Sequence, residues 1–356
     1  MTTSEKTKIG ILIPTYNRRD YLAQALASAR EQTRANLEII VIDNGSSDGT
    51  DRLMASFSDP RVSYVVNEHN IGMIGSITRG IDLFSGEVEW CMVLADDDVL
   101  DPGFTAHMMT FLEERPSLLV AYGHIVFMDE HRKKIRDAVE GPEIETALPY
   151  LKARAFMRRE TYLSATFFRK KAFTAIGGYP PFATGWGTDE ALLFHLAAKG
   201  QGVGYSGDSL CLIRLHEKAE SVLSPAGLET TFETALEFKD YCKNVGRTYG
   251  INQDEIVTAI DLKIKGFLYM LLTTQYQNDL KFRREHGKYD IFLRILRDAY
   301  PYLPFRVKLD YRCFSILGIA LERYLLYRFC WSSIGNIYKL IRKLLPLDRF
   351  VNILHT

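Results

Sequence analysis

Apolar runs rich in β-branched residues alternate with helical spacings through the first hundred positions. They read IGILI (Ile9 to Ile13), YLAQALASAREQ, LEIIVID (Leu37 to Asp43), GTDRLMASF, VSYVV (Val62 to Val66), a Gly-punctuated helix from about Gly72 to Phe84, and EWCMVLA (Glu89 to Ala95). Runs that are apolar at every position predict strands covered on both faces. Their alternation with helices predicts a mostly parallel sheet, in which ligands sit beyond the carboxyl ends of the strands. Between residues 116 and 215 the pattern turns β-rich, with LLVAYGHIVFMD, ETYLSATFFR and CLIRLH as strands and TDEALLFHLAAKG as a helix. Beyond Ser224, amphipathic spacing over Leu228 to Lys243, Gln253 to Gln275 and Tyr289 to Ala299 predicts helices. The expectation is an α/β domain over 1–225 and an α-helical region over 226–356.

The strand ends are unusually polar: PTYNRRD from Pro14, DNGSSDGT from Asp43, NEHNIG from Asn67 and ADDDVLDP from Ala95. Asp, Asn, Gly and Pro form turns wherever strands stop, so each segment alone is explained by chain reversal. Turn formation does not explain three consecutive acids. Asp96, Asp97 and Asp98 repel one another unless water or a cation screens them, and hard divalent ions bridge such carboxylates to phosphates. Capping of the next helix behind Pro102 would use one acid, not three. Farther on, Thr188 or Asp189 can cap a helix. A carboxylate kept ionised at that helix N-terminus is also a candidate general base. His216 in CLIRLHEKAES reads as a polar strand end until another motif supplies the rest of a site.

Composition removes several classes. With 44 Lys plus Arg against 44 Asp plus Glu the chain is formally neutral, and its basic residues gather late in the chain rather than around the acids, so nucleic acid is not an expected partner. Five scattered cysteines without CxxC spacing argue against a disulfide framework or a zinc site and for a reducing compartment. No GxxxxGK[ST] phosphate loop occurs. The first residues lack the pattern of a signal peptide, and cytoplasmic residence is expected.

At this point ILIPTYNRRDYLAQALASAREQT, IIVIDNGSSDGT, NIGMIGSITRGI, MVLADDDVLDP and GWGTDEALL together resemble the inverting family 2 glycosyltransferases of GT-A fold, over roughly residues 8 to 220. The resemblance implies a Rossmann-like, mostly parallel mixed sheet, a nucleotide-sugar donor, Mn2+ or Mg2+, and transfer of one sugar to a hydroxyl with inversion; with no Gln-x-x-Arg-Trp segment after the base, the transfer is expected to be non-processive. It implies donor contacts from Pro14, Thr15, Tyr16, Asn17, Asp43, Asn70, Gly72, Arg79, Asp96, Asp97 and Arg214. Asp96, Asp98 and His216 would hold the metal and Asp189 would act as base. The chain departs from the commonest pattern at Ala95, at Ile77 and Thr78, and at Thr188. Ala95, Ile77 and Thr78 leave a catalytically silent sugar-nucleotide binder as one alternative; a nucleotidyltransferase, which also uses a parallel sheet and metal-binding acids, is the other.

Residues 300–356 carry nine Lys or Arg against three acids, interleaved with aromatic and aliphatic residues. That mixture predicts either a peripheral surface for the inner face of a membrane or a helical oligomer interface. A membrane surface would favour a glycan or lipid-linked saccharide as acceptor.

Overall fold

The structure is a computed structural model of the whole chain, and it describes residues 7–34, 36–182, 184–216 and 228–270. The expected helix Tyr289–Ala299 and the basic segment 300–356 lie outside the described residues. The chain divides into compact units Met1–Ile295 and Leu296–Thr356; the first contains every element below.

The elements follow in the order β1 (Lys8–Thr15), α1 (Arg19–Arg30), β2 (Leu37–Asp43), α2 (Thr50–Ala55), β3 (Val62–Val66), α3 (Gly72–Leu83), β4 (Val88–Val93), β5 (Val99–Leu100), α4 (Phe104–Glu113) and β6 (Val120–Met128). Then come β7 (Lys134–Asp137), β8 (Ile144–Glu145), α5 (Ala147–Ala155), a 3-10 turn (Leu163–Ala165), β9 (Thr166–Arg169), α6 (Lys170–Ala175), α7 (Thr188–Lys199), β10 (Val203–Arg214), α8 (Leu228–Tyr249) and α9 (Gln253–Met270). The described strands form one ten-stranded sheet, β3-β2-β1-β4-β9-β6-β10-β5, with β7 on β6 and β8 on β10. Pairing is parallel from β3 to β4 and between β6 and β10; β9 runs antiparallel between the two blocks.

The apolar runs produce this arrangement directly. Ile9, Ile11, Leu12 and Ile13 of β1 are buried on both faces, as are Ile39 to Ile42 of β2. Helix α1 lays Leu22, Ala25, Leu26 and Ala29 into the core shared with Trp90, Met92 and Phe127. On the opposite face α3 approaches β1 closely because Gly80 has no side chain; a Cβ there would collide with Leu12. Two helices, α5 and α6, interrupt the region expected to be β-rich. The anticipated strand ETYLSATFFR is also divided: its first part becomes the 3-10 turn and only Thr166–Arg169 joins the ladder.

The chain leaves β1 toward β2 on one side and pairs with β4 on the other, so the carboxyl ends of β1 and β4 flank a topological switch point, the place where open α/β sheets take their ligands. Here β4 ends at Val93, two residues before the expected limit. Ala95 turns its N–H onto Ser164 Oγ at 3.0 Å, and Asp98 N–H closes on Ala95 O at 3.2 Å. Residues Val99 and Leu100 then zip antiparallel onto Leu212 and Cys211 of β10. The three acids are thereby fixed in a turn held at both ends. Asp101, not one of the three, caps the next segment, accepting from Gly103 N–H at 2.9 Å.

Candidate active site

Each of the three carboxylates has a distinct set of partners. Thr15, at the end of β1, donates its hydroxyl to Asp96 Oδ2 at 2.7 Å. Arg18 Nη1 lies 3.2 Å from Asp96 Oδ1 and 2.8 Å from Asp97 Oδ2. His216 Nε2 contacts the same Asp97 oxygen at 3.0 Å. Asp98 accepts Ser164 Oγ on Oδ2 at 2.5 Å and the Arg214 backbone N–H on Oδ1 at 2.9 Å. The Arg214 guanidinium serves the backbone instead: it donates to Asp97 O at 2.8 Å and Glu130 O at 2.8 Å, and to Gln24 Oε1 at 2.9 Å.

The electrostatics follow from this. Asp96 and Asp98 are 5 % exposed, so burial is the main force raising both carboxyls. Asp96 reaches only about 6, because Thr15 and Arg18 oppose the rise. Asp98 is pushed to about 8, since the charge of Asp97 adds to burial and only neutral donors oppose it. Among the described residues, the cluster thus holds more negative charge than Arg18, which pairs with it directly, compensates.

Asp189, the residue expected to act as base, lies in the first turn of α7. Gly187 precedes it with φ of 76°, and a Cβ there would sit 2.9 Å from the Phe238 ring; only glycine fits. Among the described residues, no side chain caps this helix. Burial is the largest influence on Asp189 and, with the nearby charge of Glu190, raises its carboxyl to about 6 against the pull of Arg154 and of the Leu163 N–H that bonds it. Leu163 and Ser164 are adjacent, so the 3-10 turn ties Asp189 with one residue and Asp98 with the next.

The remaining residues expected at the site lie at the carboxyl ends of β1 and β2, in the loops after them and around α3. The loop after β1 is laced to the loop after β2: Asn17, in a left-handed conformation with φ of 53°, accepts Ser47 N–H and donates its own N–H to Ser46 Oγ, both at 2.8 Å. Pro14 is half-buried and Tyr16 is exposed beside it. Asp43 is buried and accepts Ser46 N–H, Ser46 Oγ and Tyr64 Oη at 2.8, 2.6 and 2.6 Å. Asn70 and Gly72 shape the start of α3 through a 2.8 Å bond from Gly72 N–H to Asn70 Oδ1, while Arg79 is held by Asn67.

The geometry brings Thr15, Asp96, Asp97, Asp98, Arg214 and His216 together. It does not converge Asp96, Asp98 and His216 on one point, and among the described residues no group of three or more His, Cys, Asp or Glu side chains forms a ready cage. What fits a cation is the charge deficit at Asp98, hard carboxylate oxygens, and the buried Nδ1 of His216, which has no hydrogen-bond partner among the described residues. Such a donor set suits a hard divalent ion that completes its shell with water and phosphate oxygens.

Residues 10–174 match the model of glycosyl transferase family 2. The chain carries a family 2 glycosyltransferase domain. An uncharacterized glycosyltransferase of Haemophilus influenzae is 32% identical over 108 residues, 30% of this chain and 33% of that protein. The GalNAc(5)-diNAcBac-PP-undecaprenol beta-1,3-glucosyltransferase of Campylobacter jejuni is 33% identical over 121 residues, 33% of this chain and 37% of that protein. The chain therefore spans little more than a third of either relative. The crystal structure of S. aureus TarS 1-349 in complex with UDP-GlcNAc superposes with a TM-score of 0.61 over 84% of this chain and 82% of that one, at 15% identity, which establishes a shared fold.

Within this glycosyltransferase domain and its continuation, four interacting residues escaped the sequence reading. Arg18 stands in the quoted PTYNRRD segment, but nothing in the sequence says that it reaches Asp96 and Asp97. Ser164 and Leu163 lay inside an apparent strand. Arg154 lay in a helix that the pattern did not reveal. The only usable signal was ETYLSA itself, where polar residues interrupt the apolar run.

Proposed function

We propose that the site transfers one sugar from a nucleoside-diphosphate sugar, with UDP favoured, to a hydroxyl of a glycan or lipid-linked saccharide, with inversion and without processivity. The observation that carries this reading is the placement of the uncompensated Asp98 at the switch point of the sheet, joined through residues 163 and 164 to Asp189. A bound Mg2+ or Mn2+, held by Asp98 with Asp96, would supply positive charge to the departing diphosphate.

The protein's own residues do the rest. Thr15 and Arg18 hold Asp96, and Ser164 with the Arg214 N–H holds Asp98, so neither carboxylate has to reorganise during reaction. Pro14, Thr15, Tyr16, Asn17, Asp43, Asn70, Gly72 and Arg79 form the donor side. An acceptor hydroxyl is a weak nucleophile at neutral pH, and its proton must leave as the new bond forms. Asp189, with its carboxyl near 6, is ionised at pH 7 yet basic enough to take that proton. One base and a single displacement give inversion.

The Campylobacter relative is named for an undecaprenol-linked acceptor, which supports a lipid-linked saccharide here. No described helix is long and apolar enough to cross a membrane. The test is a transfer assay with UDP-, GDP- and dTDP-sugars, with Mn2+ and with EDTA, resolving the anomer formed. Metal-dependent transfer with inverted configuration is expected. Donor binding without transfer or hydrolysis under any condition would instead identify a silent binder.

A further inference from the structure

The base-bearing helix is gripped from both sides of the limit of the family-matched residues 10–174, by α5 within them and α9 beyond them. Helices α5, α7, α8 and α9 pack together, and a buried ionic cluster lies among them. The side chain of Glu190, next to Asp189, is 1 % exposed; Arg154 Nε of α5 lies 3.3 Å from its Oε2, and Lys263 Nζ of α9 bonds the same oxygen. The Lys263 ammonium also sits 4.7 Å from the Trp186 ring and 5.0 Å from Phe238. It therefore touches the Gly-Trp-Gly loop and the helix that loop begins. Two further ion pairs fasten α9 in place, Lys152 with Glu255 and Lys239 Nζ with Asp261 Oδ1 at 2.6 Å.

We propose that Lys263 is a positioning residue for Asp189: it pins Glu190 and the Trp186 loop, so that the first turn of α7 presents Asp189 to the acceptor in one geometry. The inference rests on the reading of Asp189 as base. A buried carboxylate beside a base is costly unless its charge is matched, and a bond to one oxygen from two cations of different helices also fixes its rotamer. The groups facing Asp189 are Arg154 from α5, Glu190 from its own helix, Tyr179 from the segment after α6, and the Leu163 N–H. Arg154 and Leu163 favour the ionised base, and Glu190 opposes it. Lys263 acts on this balance through Glu190, whose carboxyl stays low despite burial because Lys263 and Arg154 hold it ionised. The other oxygen of Glu190, Oε1, is buried with no hydrogen-bond partner among the described residues, so the carboxylate leans on these two cations.

The test uses the full chain and pH profiles of kcat and of donor and acceptor KM for K263M, K263R and E190Q, with D189N as reference. In K263M the charge of Glu190 is less compensated. The acid limb of kcat is expected to move to higher pH, on the order of one unit. The kcat at pH 7 should fall, with donor KM unchanged, and K263R should restore the profile. In E190Q the repulsion is gone, and the limb is expected to move to lower pH. If K263M does not fold, the neutral pair E190Q/K263M decides: its limb must also lie below that of the parent, because Glu190 rather than Lys263 faces the base. Limbs that stay in place, or that move in the same direction in K263M and E190Q, overturn the inference. Parental transfer in D189N would overturn the base assignment instead, so the two failures are distinguishable.

Discussion

Thr15 and Asp96 meet across the boundary between β1 and β4, hydroxyl to carboxylate at 2.7 Å, although 81 residues separate them in the chain. The bond joins the end of the first strand to the acidic turn at the point where the sheet changes direction. Replacing Thr15 by Val keeps the shape and removes the donor. A buried carboxylate oxygen left without its partner costs about 1–3 kcal/mol. The expected result is a lower urea midpoint for T15V with unchanged m-value; an unchanged midpoint would mean that the bond contributes nothing.

Ser164 uses one hydroxyl twice, donating to Asp98 and accepting from Ala95 N–H. In S164A both ends of the acidic turn loosen. Donor affinity in the presence of Mn2+ is expected to weaken by roughly tenfold, the equivalent of one lost hydrogen bond to a charged group. Calorimetry with UDP checks this, and affinity equal to that of the parent would remove Ser164 from the site.

Asp189 gives a pH dependence whose sign is fixed. Its carboxyl is raised to about 6, so the base is ionised above that pH and transfer should fall about tenfold per unit below it. Stability runs the other way. The folded state binds this proton more tightly than the unfolded chain does, so the contribution of Asp189 is favourable at acid pH and is lost as pH rises through 6. D189N should therefore be more stable than the parent at pH 8, by about 1–3 kcal/mol, with the gap narrowing below pH 6 and closing toward pH 4. Thermal melts at pH 8 and pH 4 test it; a gap that does not change with pH would contradict the shift.

Gly187 predicts the cost of disturbing the loop before the base. Alanine there must adopt φ of 76° and meet Phe238 at 2.9 Å. A loss of about 1–3 kcal/mol in stability is expected for G187A, accompanied by a fall in kcat. Full activity in a destabilised variant would separate the loop from catalysis.

The parallel half of the fold was legible from its apolar runs: Leu37–Asp43, buried on both faces, begins and ends where the pattern places it, and so does Val62–Val66, although as the edge strand it stays partly exposed. The acidic turn was legible because three adjacent carboxylates have no structural reason to exist. Local spacing could not reveal the partners of those acids. Arg18, Ser164 and Arg214 reach them over 78, 66 and 116 residues, and such contacts exist only once the sheet is assembled. The helix Ala147–Ala155 escaped for a different reason. Pro149 sits in its first turn, where a missing N–H costs little, yet in the sequence it reads as a break.

The central claim, that Asp98 answers a cation and a diphosphate while Asp189 answers only the acceptor, meets its most direct test in UDP binding measured by calorimetry with Mn2+ or EDTA for the parent, D98N and D189N. The prediction is Mn2+-dependent binding in the parent, retained in D189N and weakened by about a hundredfold or more in D98N, the scale of losing a charged ligand. Equal Mn2+-dependent affinity in D98N and the parent would contradict it.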